Sequence, residues 1–358
     1  MNKVKYILFL ACSVALIFSA CKKDPSLIQG GYYDYDYGYF PNPAIPTDNP
    51  LTIEGVKLGR MLFYESKLSR TNTQSCASCH KQEFAFSDTN KFSFGVSGQT
   101  GTRQSMSVVN MAWNKNAFFW DGRSDSLRHQ TLIPIEDPLE MEEDLSNVIA
   151  KLKADDLYIN QFRRAFNTEN ISPRLMSLAL EQFLHSIVSN RSKFDKVLAG
   201  QASLTSNEER GRFLYFNEFN PFFPAQSGAD CRHCHGGDNF ENDRYMNNGL
   251  DADASFTDFG RELSTGNIAD RAKFKVPTLR NIELTPPYMH DGRFQTLEQV
   301  IDHYNTGMDS SSTIEGHFLQ ILPTGLQLTT QDKADLLAFL KTLTDEELIT
   351  DPRYSDPF

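Results

Sequence analysis

The chain has 358 residues, 40% of them hydrophobic, and its 46 acidic against 35 basic side chains give a formal charge of −11. That balance argues against a nucleic-acid partner, because phosphates reward basic surfaces, and it leaves room for a basic redox partner. The length suits two domains of ordinary size.

Residues 1–20 carry Lys3 and Lys5, then an apolar stretch from Ile7 to Phe18, then Ser19-Ala20 before Cys21. This is the n-region, h-region and small-residue boundary of a secretory signal. A transmembrane anchor is the competing reading, but the stretch is shorter than the roughly 20 residues needed to span a bilayer. Phe18-Ser19-Ala20-Cys21 looks like a bacterial lipobox, which makes Cys21 the lipid attachment site of a periplasmic, membrane-anchored lipoprotein. Residues 21–50 are poor in aliphatics and rich in Tyr, Gly, Pro and Asp. They read as a tether, with an ordered arm laid on the first domain as the alternative.

Hydrophobic patterning starts near Leu51 and soon reaches Cys76-Ala77-Ser78-Cys79-His80, which is echoed by Cys231-Arg232-His233-Cys234-His235. Two cysteines three apart with a histidine after the second read as a c-type haem attachment site. Two thiols add to the haem vinyls and the next imidazole becomes the proximal iron ligand. One copy alone also fits a Cys/Cys/His zinc site; two complete copies favour covalent haem at both. Of the six cysteines, four lie in these motifs, Cys12 lies in the N-terminal apolar run and Cys21 closes it.

A repeat links the halves. The first motif is followed by Val108-Val109-Asn110, Trp120-Asp121-Gly122-Arg123 and Leu127. The second is followed by Leu279-Arg280-Asn281, His290-Asp291-Gly292-Arg293 and Leu297. Repeats outrank local propensity in reading a fold, and this one predicts two related haem domains that arose by duplication. Ser172 as N-cap with Pro173 predicts a helix carrying Leu175, Met176, Ala179, Leu180, Phe183, Leu184 and Ile187. Thr205-x-x-Glu208 is a capping box heading another. Leu336, Leu337, Phe339, Leu340 and Leu343 mark a third after Thr329. The expected fold is mostly α, with long loops wrapping haems: a domain over 51–200, a second over 201–346 and a tail over 347–358, the boundary falling at Leu198–Thr205.

From about Leu51 to Leu343 the chain resembles the bacterial dihaem cytochrome c peroxidase family, which includes the MauG branch. The resemblance rests on Lys57-Leu58-Gly59-Arg60-x-Leu62-Phe63, the two haem motifs, Gly101-Thr102-Arg103, Phe119-Trp120-Asp121-Gly122-Arg123, Val276-Pro277-Thr278-Leu279-Arg280-Asn281 and Pro287-Tyr288-Met289-His290-Asp291-Gly292-Arg293. It implies two cytochrome c-like domains. His80 would be the proximal ligand of a peroxidatic haem and His235 that of an electron-transfer haem. Trp120 would lie between the haems as a relay, the bland reading being a core aromatic beside Phe118 and Phe119. Gln130 and Glu140 would form the distal pocket, where Glu140 shuttles a proton between peroxide oxygens as general acid–base. Calcium would bind between the domains through Gln104, Thr285 and Pro287. Hydrogen peroxide would be reduced to water with electrons from a small cytochrome or other donor, and a homodimer is a family habit.

Two departures from the family pattern matter. Val96 stands where many members carry a histidine that caps the resting peroxidatic haem, which predicts an unblocked first haem; His129 is a weak substitute. Tyr304 stands where peroxidases place a distal methionine for the second haem, and the MauG branch has a tyrosine there. Met308, one helical turn on, is the alternative ligand. Both departures favour, as a rival reading, MauG-like oxidation of a protein or organic substrate; a non-catalytic electron-transfer cytochrome is the other. Of the remaining histidines, His290 is expected beside the second haem and His303 at the surface or behind the ligand shell. His233 reads as a spacer, and His185 and His317 as structural.

Overall fold

Side-chain caps mark where the longer helices begin. Thr52 opens α1 (Ile53–Tyr64), Asp144 opens α2 (Leu145–Lys153) and Asp155 opens α3 (Asp156–Phe166), each accepting a hydrogen bond from a first-turn N–H. Ser172 opens α4 (Pro173–Ser186), Ser192 opens α5 (Lys193–Leu198) and Thr205 opens α6 (Ser206–Phe216). Thr296 and Thr329 open α7 (Leu297–Asp302) and α8 (Thr330–Lys341) with capping boxes. Such caps satisfy amide donors that the helix itself leaves unpaired. The other described residues form short helical turns and loops, with one small antiparallel pair among them, β1 (Tyr245–Met246) against β2 (Phe274–Lys275). This is a computed structural model that describes residues 30–358. The signal segment and Cys21 lie outside the described residues. Among those described, no helix is long and apolar enough to cross a membrane.

The fold has two principal hydrophobic cores. Leu58, Leu62 and Phe63 of α1 pack with Phe162 of α3 and with Met176 and Phe183 of α4. Leu214 and Tyr215 of α6 pack with Leu336 and Phe339 of α8 and with Leu343. Each core is built on one close helix crossing. A Cβ on Gly59 would sit 1.9 Å from the Ala179 carbonyl oxygen, and a Cβ on Gly211 would sit 1.9 Å from that of Asp335. Backbone is pressed on backbone, so no side-chain rotation relieves the clash. We therefore expect Gly59→Ala to destabilise by at least the ~1–3 kcal/mol typical of overpacking, despite the better helix propensity of alanine. A lowered urea midpoint measures it, and an unchanged or raised midpoint would contradict the crossing.

The repeat positions carry matching backbone. Asn110 and Asn281 are both left-handed, at φ 58° and 60°, and each precedes a short 3-10 turn. Antiparallel bridges Phe118↔Ser124 and Tyr288↔Phe294 then enclose the two Asp-Gly-Arg turns, where Arg123 N–H donates to Asp121 and Arg293 N–H to Asp291, each at 3.2 Å. Both asparagines converge on Ser189: Asn110 Oδ1 accepts from its N–H at 2.8 Å and Asn281 Nδ2 donates to its hydroxyl at 2.9 Å.

Three boundaries differ from the sequence reading. From residue 30 the expected tether is an ordered arm: Tyr33, Tyr35 and Ile45 pack on the first core, and Asn49 is buried against Leu178 and Glu181 of α4. Its tyrosines supply the apolar area that the missing aliphatics do not. The expected tail returns to the first core, where Leu348 and Tyr354 are buried and Gln82 Nε2 donates to the carbonyls of Leu348 and Asp351, both at 2.9 Å. Finally, Phe194 of α5 already belongs to the second core, with its ring 5.1 Å from that of Phe339, so the change of core falls before the expected Leu198–Thr205.

Candidate functional site

Both Cys-x-x-Cys-His motifs fold into the same 3-10 turn. His80 N–H donates to the Cys76 carbonyl at 2.9 Å, and His235 N–H to that of Cys231 at 2.8 Å. Each imidazole is oriented through Nδ1, which lies 3.1 Å from the Phe86 carbonyl in one case and 3.0 Å from the Pro277 carbonyl in the other. Donation from Nδ1 leaves Nε2 as the lone-pair nitrogen, the arrangement a metal-binding histidine uses. Burial lowers the pKa of His80 and pushes that of His235 down to about 4, so both rings are neutral, as ligation requires. Burial also keeps the four thiols protonated.

The second motif opens on a cavity lined by Cys231, Cys234, His235, Tyr304 and a mostly aliphatic wall including Leu279, Leu297 and Leu340. Apolar walls with two thiols and one anchored imidazole fit a haem. Tyr304 lies in a single π-helical turn (His303–Gly307) that continues α7, and its hydroxyl accepts from Asn248 Nδ2 at 3.1 Å. Such turns recur at functional sites because they re-aim one side chain. Met308 packs on the second core but does not line the cavity. His303 is buried rather than at the surface, with Nε2 3.1 Å from the Asn248 carbonyl, so it braces the residue that holds Tyr304. His290 lines the cavity, stacked on Phe274 at 3.6 Å, and His317 lines it too, stacked on the half-exposed His233 at 4.1 Å.

Trp120 belongs to the first half yet lines this second-half cavity. Its indole N–H donates to the Gln104 carbonyl at 2.8 Å and its own carbonyl accepts from Lys275 N–H at 2.7 Å. Nearby, Arg103 pairs with Asp121 of the first half and Asp258 of the second, each at 2.7 Å.

At the first motif Glu140 is half-buried. Burial, and then the neighbouring Asp137, push its carboxyl up to about 7 against the pull of Arg123. Burial raises both Cys76 and Cys79, and the Glu140 charge adds to it. The Glu140 carbonyl accepts from Val96 N–H at 2.8 Å, so the loop that carries Val96 is pinned to the carboxylate's own backbone. Gln130 ends a short helix (Leu127–Gln130), and His129 beside it is exposed. Gln104 is buried, with its amide nitrogen donating to Ser87 Oγ at 3.0 Å and the Asp88 carbonyl at 3.2 Å; the Thr285 hydroxyl donates to the Ile282 carbonyl at 3.3 Å.

Sequence reasoning did not single out Asn248, Arg123 or the π turn. An Asn-Asn-Gly tripeptide marks a loop, and nothing in it points to residue 304. Arg123 stood in view, inside the repeated Asp-Gly-Arg.

Two matched Cys-x-x-Cys-His turns in a mostly helical, two-core fold define a two-haem protein of the c type. The chain belongs to the di-haem cytochrome c peroxidase family, a family of oxidoreductases: the family model of that description matches residues 53–203. It is 34% identical over 309 residues to the methylamine utilization protein MauG of Methylorubrum extorquens, covering 84% of this chain and 81% of that one. It is 31% identical over 312 residues to the cytochrome c551 peroxidase of Nitrosomonas europaea, covering 86% and 85%. Among solved structures it is similar to a MauG-like protein associated with microbial copper homeostasis, with a TM-score of 0.81 and 36% identity over 91% of this chain and 99% of that one.

Proposed function

We propose that this is a dihaem c-type peroxidase that reduces hydrogen peroxide to water with two electrons from an external donor such as a small cytochrome. The observation that carries the reading is Glu140: a half-buried carboxyl held near 7 beside the first motif, where a pure electron carrier has no use for an acid–base group. Covalent attachment would run through Cys76 and Cys79 at the first site and Cys231 and Cys234 at the second. The bound haems would supply irons that exchange single electrons, with an open position at the first for peroxide. Glu140 takes the proton from the inner peroxide oxygen and returns it to the outer one, and Gln130 orients the substrate; two protons and two electrons then complete two waters. Electrons would enter at the site that His235 holds and cross by way of Trp120. Val96 offers no imidazole to block the first site, so turnover needs no prior half-reduction. Secretion, a Cys21 lipid anchor and residence in the periplasm complete the reading. Calcium at Gln104, Thr285 and Pro287 belongs to it as well: the Gln104 amide nitrogen is engaged, which directs its oxygen away for a hard cation.

Tyr304 favours a second reading, MauG-like oxidation of a protein or organic substrate. Tyr304 lines the second cavity with its hydroxyl bonded to Asn248, and oxygen ligation there would lower a haem potential and favour stored oxidising equivalents. Titrating the oxidised, haem-loaded protein with peroxide and then adding reduced cytochrome separates the readings. Rapid donor oxidation supports the peroxidase; a long-lived oxidised state with slow donor oxidation supports the MauG-like enzyme; no reaction with peroxide defeats both. Tyr304→Met should raise the second haem's midpoint by on the order of 0.1 V, within the roughly 0.8 V that axial ligands span. An unmoved midpoint in spectroelectrochemistry would remove Tyr304 from the iron.

A further inference from the structure

One amide holds two unlike donors at the second site. Asn248 Nδ2 carries two N–H groups, and it lies 3.1 Å from the Tyr304 hydroxyl oxygen and 3.4 Å from Met289 Sδ. Asn248, Tyr304 and Met289 all line the cavity of the second motif, and His303 braces the Asn248 carbonyl. A phenol oxygen and a thioether sulfur are therefore set side by side by one side chain. Met246 also lines that cavity, but its sulfur lies 3.9 Å from Asn242 Nδ2 instead. The backbone of Met289 is left-handed at φ 73°, where a residue other than glycine is uncommon, and such strain persists only where the surroundings enforce it. Its counterpart in the repeat, Phe119, is left-handed too at φ 66°, but there the guanidinium of Arg123 lies over the ring at 3.6 Å. In the second half Arg293 turns to Asp251 and Asp291, at 2.7 and 2.8 Å. The same backbone position carries an arginine-covered ring in one half and a thioether in the cavity wall in the other.

We propose that the second site exchanges its distal ligand with oxidation state, the Tyr304 oxygen holding the oxidised iron and the Met289 sulfur the reduced one. The proposal rests on the reading that the second motif holds a haem with Tyr304 on its iron. Hard and soft donors divide the two states: an anionic oxygen stabilises oxidised iron, whereas a thioether is a soft ligand that raises a haem potential by favouring the reduced form. On reduction the iron gains one electron and its bond to the Tyr304 oxygen breaks. The phenolate takes one proton from solvent, and a sulfur lone pair of Met289 forms the new bond. Oxidation reverses each step. Asn248 keeps the departing phenol and the arriving sulfur within reach of one amide, so electron entry and exit are gated by a side-chain movement rather than by a rearrangement of the fold.

The test is nuclear magnetic resonance of the haem-loaded protein carrying methyl-labelled methionine, in both oxidation states. Reduced wild type should show one methionine methyl shifted far upfield by the haem ring current, and Met289→Leu should lose it. No such methyl in reduced wild type, or its survival in Met289→Leu, overturns the assignment; the first of these outcomes needs no variant, so a variant that fails to load haem leaves the proposal decidable. Met289→Leu keeps the apolar wall and removes only the ligand of the reduced state. It should therefore lower the second haem's reduced-to-oxidised ratio at fixed potential about tenfold, or about 59 mV for one electron, and an unmoved potential also counts against the exchange. Resonance Raman separates this from the underlying reading. A phenolate–iron band that persists on reduction defeats the exchange alone, whereas oxidised protein without that band removes Tyr304 from the iron and defeats both.

Discussion

Replacing Glu140 with glutamine should lower peroxide turnover by about 10²–10⁴-fold, the range that general acid–base catalysis commands, with both haems still in place. Glutamine keeps the shape and cannot carry a proton. The backbone will not move to compensate, because the Glu140 carbonyl is held by Val96 N–H at 2.8 Å. Proton shuttling starts from the carboxylate, and burial has pushed this carboxyl up to about 7. In the wild type kcat/KM for peroxide should therefore rise as pH rises through about 7, and in Glu140→Gln that limb should be flat. Stability runs the other way. A carboxyl raised on folding contributes stability below its unfolded pKa of about 4.3 that is lost as pH rises through about 7. Wild type should weaken over that window more than the glutamine variant does. Stopped-flow peroxide decay and denaturant midpoints at several pH values measure both. A variant within threefold of wild type, with the same pH limb, would take Glu140 out of the chemistry.

The parts of this chain that were readable in advance are those whose chemistry is local. Cys76, Cys79 and His80 must lie within one turn to serve one haem, so spacing alone exposes them, and the same holds for Cys231, Cys234 and His235. Helix starts at Ser172, Thr205 and Thr329 were readable because a cap bonds to amides two or three residues on. What stayed hidden depends on contacts across long separations. The tyrosines of residues 30–40 carry no helical or strand period, yet Tyr35 donates its hydroxyl proton to the His185 carbonyl, 150 residues away. Glu140 lay in between: one acid in an acidic run, distinguished only by resemblance until its raised carboxyl set it apart from Glu142, which a hydrogen bond from Ser97 holds low. Tyr304 lay in between as well, since a period of 3.6 cannot foresee the π turn that aims it.

Arg280→Met should cost about 3–5 kcal/mol of folding stability, because it strands a buried carboxylate rather than merely deleting a contact. The guanidinium is fully buried and bidentate to Asp195, at 2.9 and 3.0 Å. It also donates to the Asp238 carbonyl and the Tyr39 hydroxyl, and lies over the rings of Phe40 and Phe240 at 4.6 and 5.5 Å. One side chain therefore ties together the N-terminal arm, α5 and the loop after the second haem motif. Burial of Asp195 raises its pKa, but Arg280, Ser192 and Tyr39 outweigh burial and hold it below the usual carboxylate range. The stability it contributes is present at neutral pH and lost as pH falls through that depressed value. Removing the arginine reverses the balance: Asp195 must then take up a proton or remain charged with no counter-charge, so the variant should be least stable at neutral pH relative to wild type and recover part of the difference in acid. Arg280→Met combined with Asp195→Leu should regain much of the loss, since an apolar replacement of a buried pair is often neutral. Urea midpoints of the two variants decide it. If the double variant is as unstable as the single one, the arginine's hold on Tyr39, Asp238 and the two phenylalanine rings, rather than its pairing with Asp195, is what holds the arm in place.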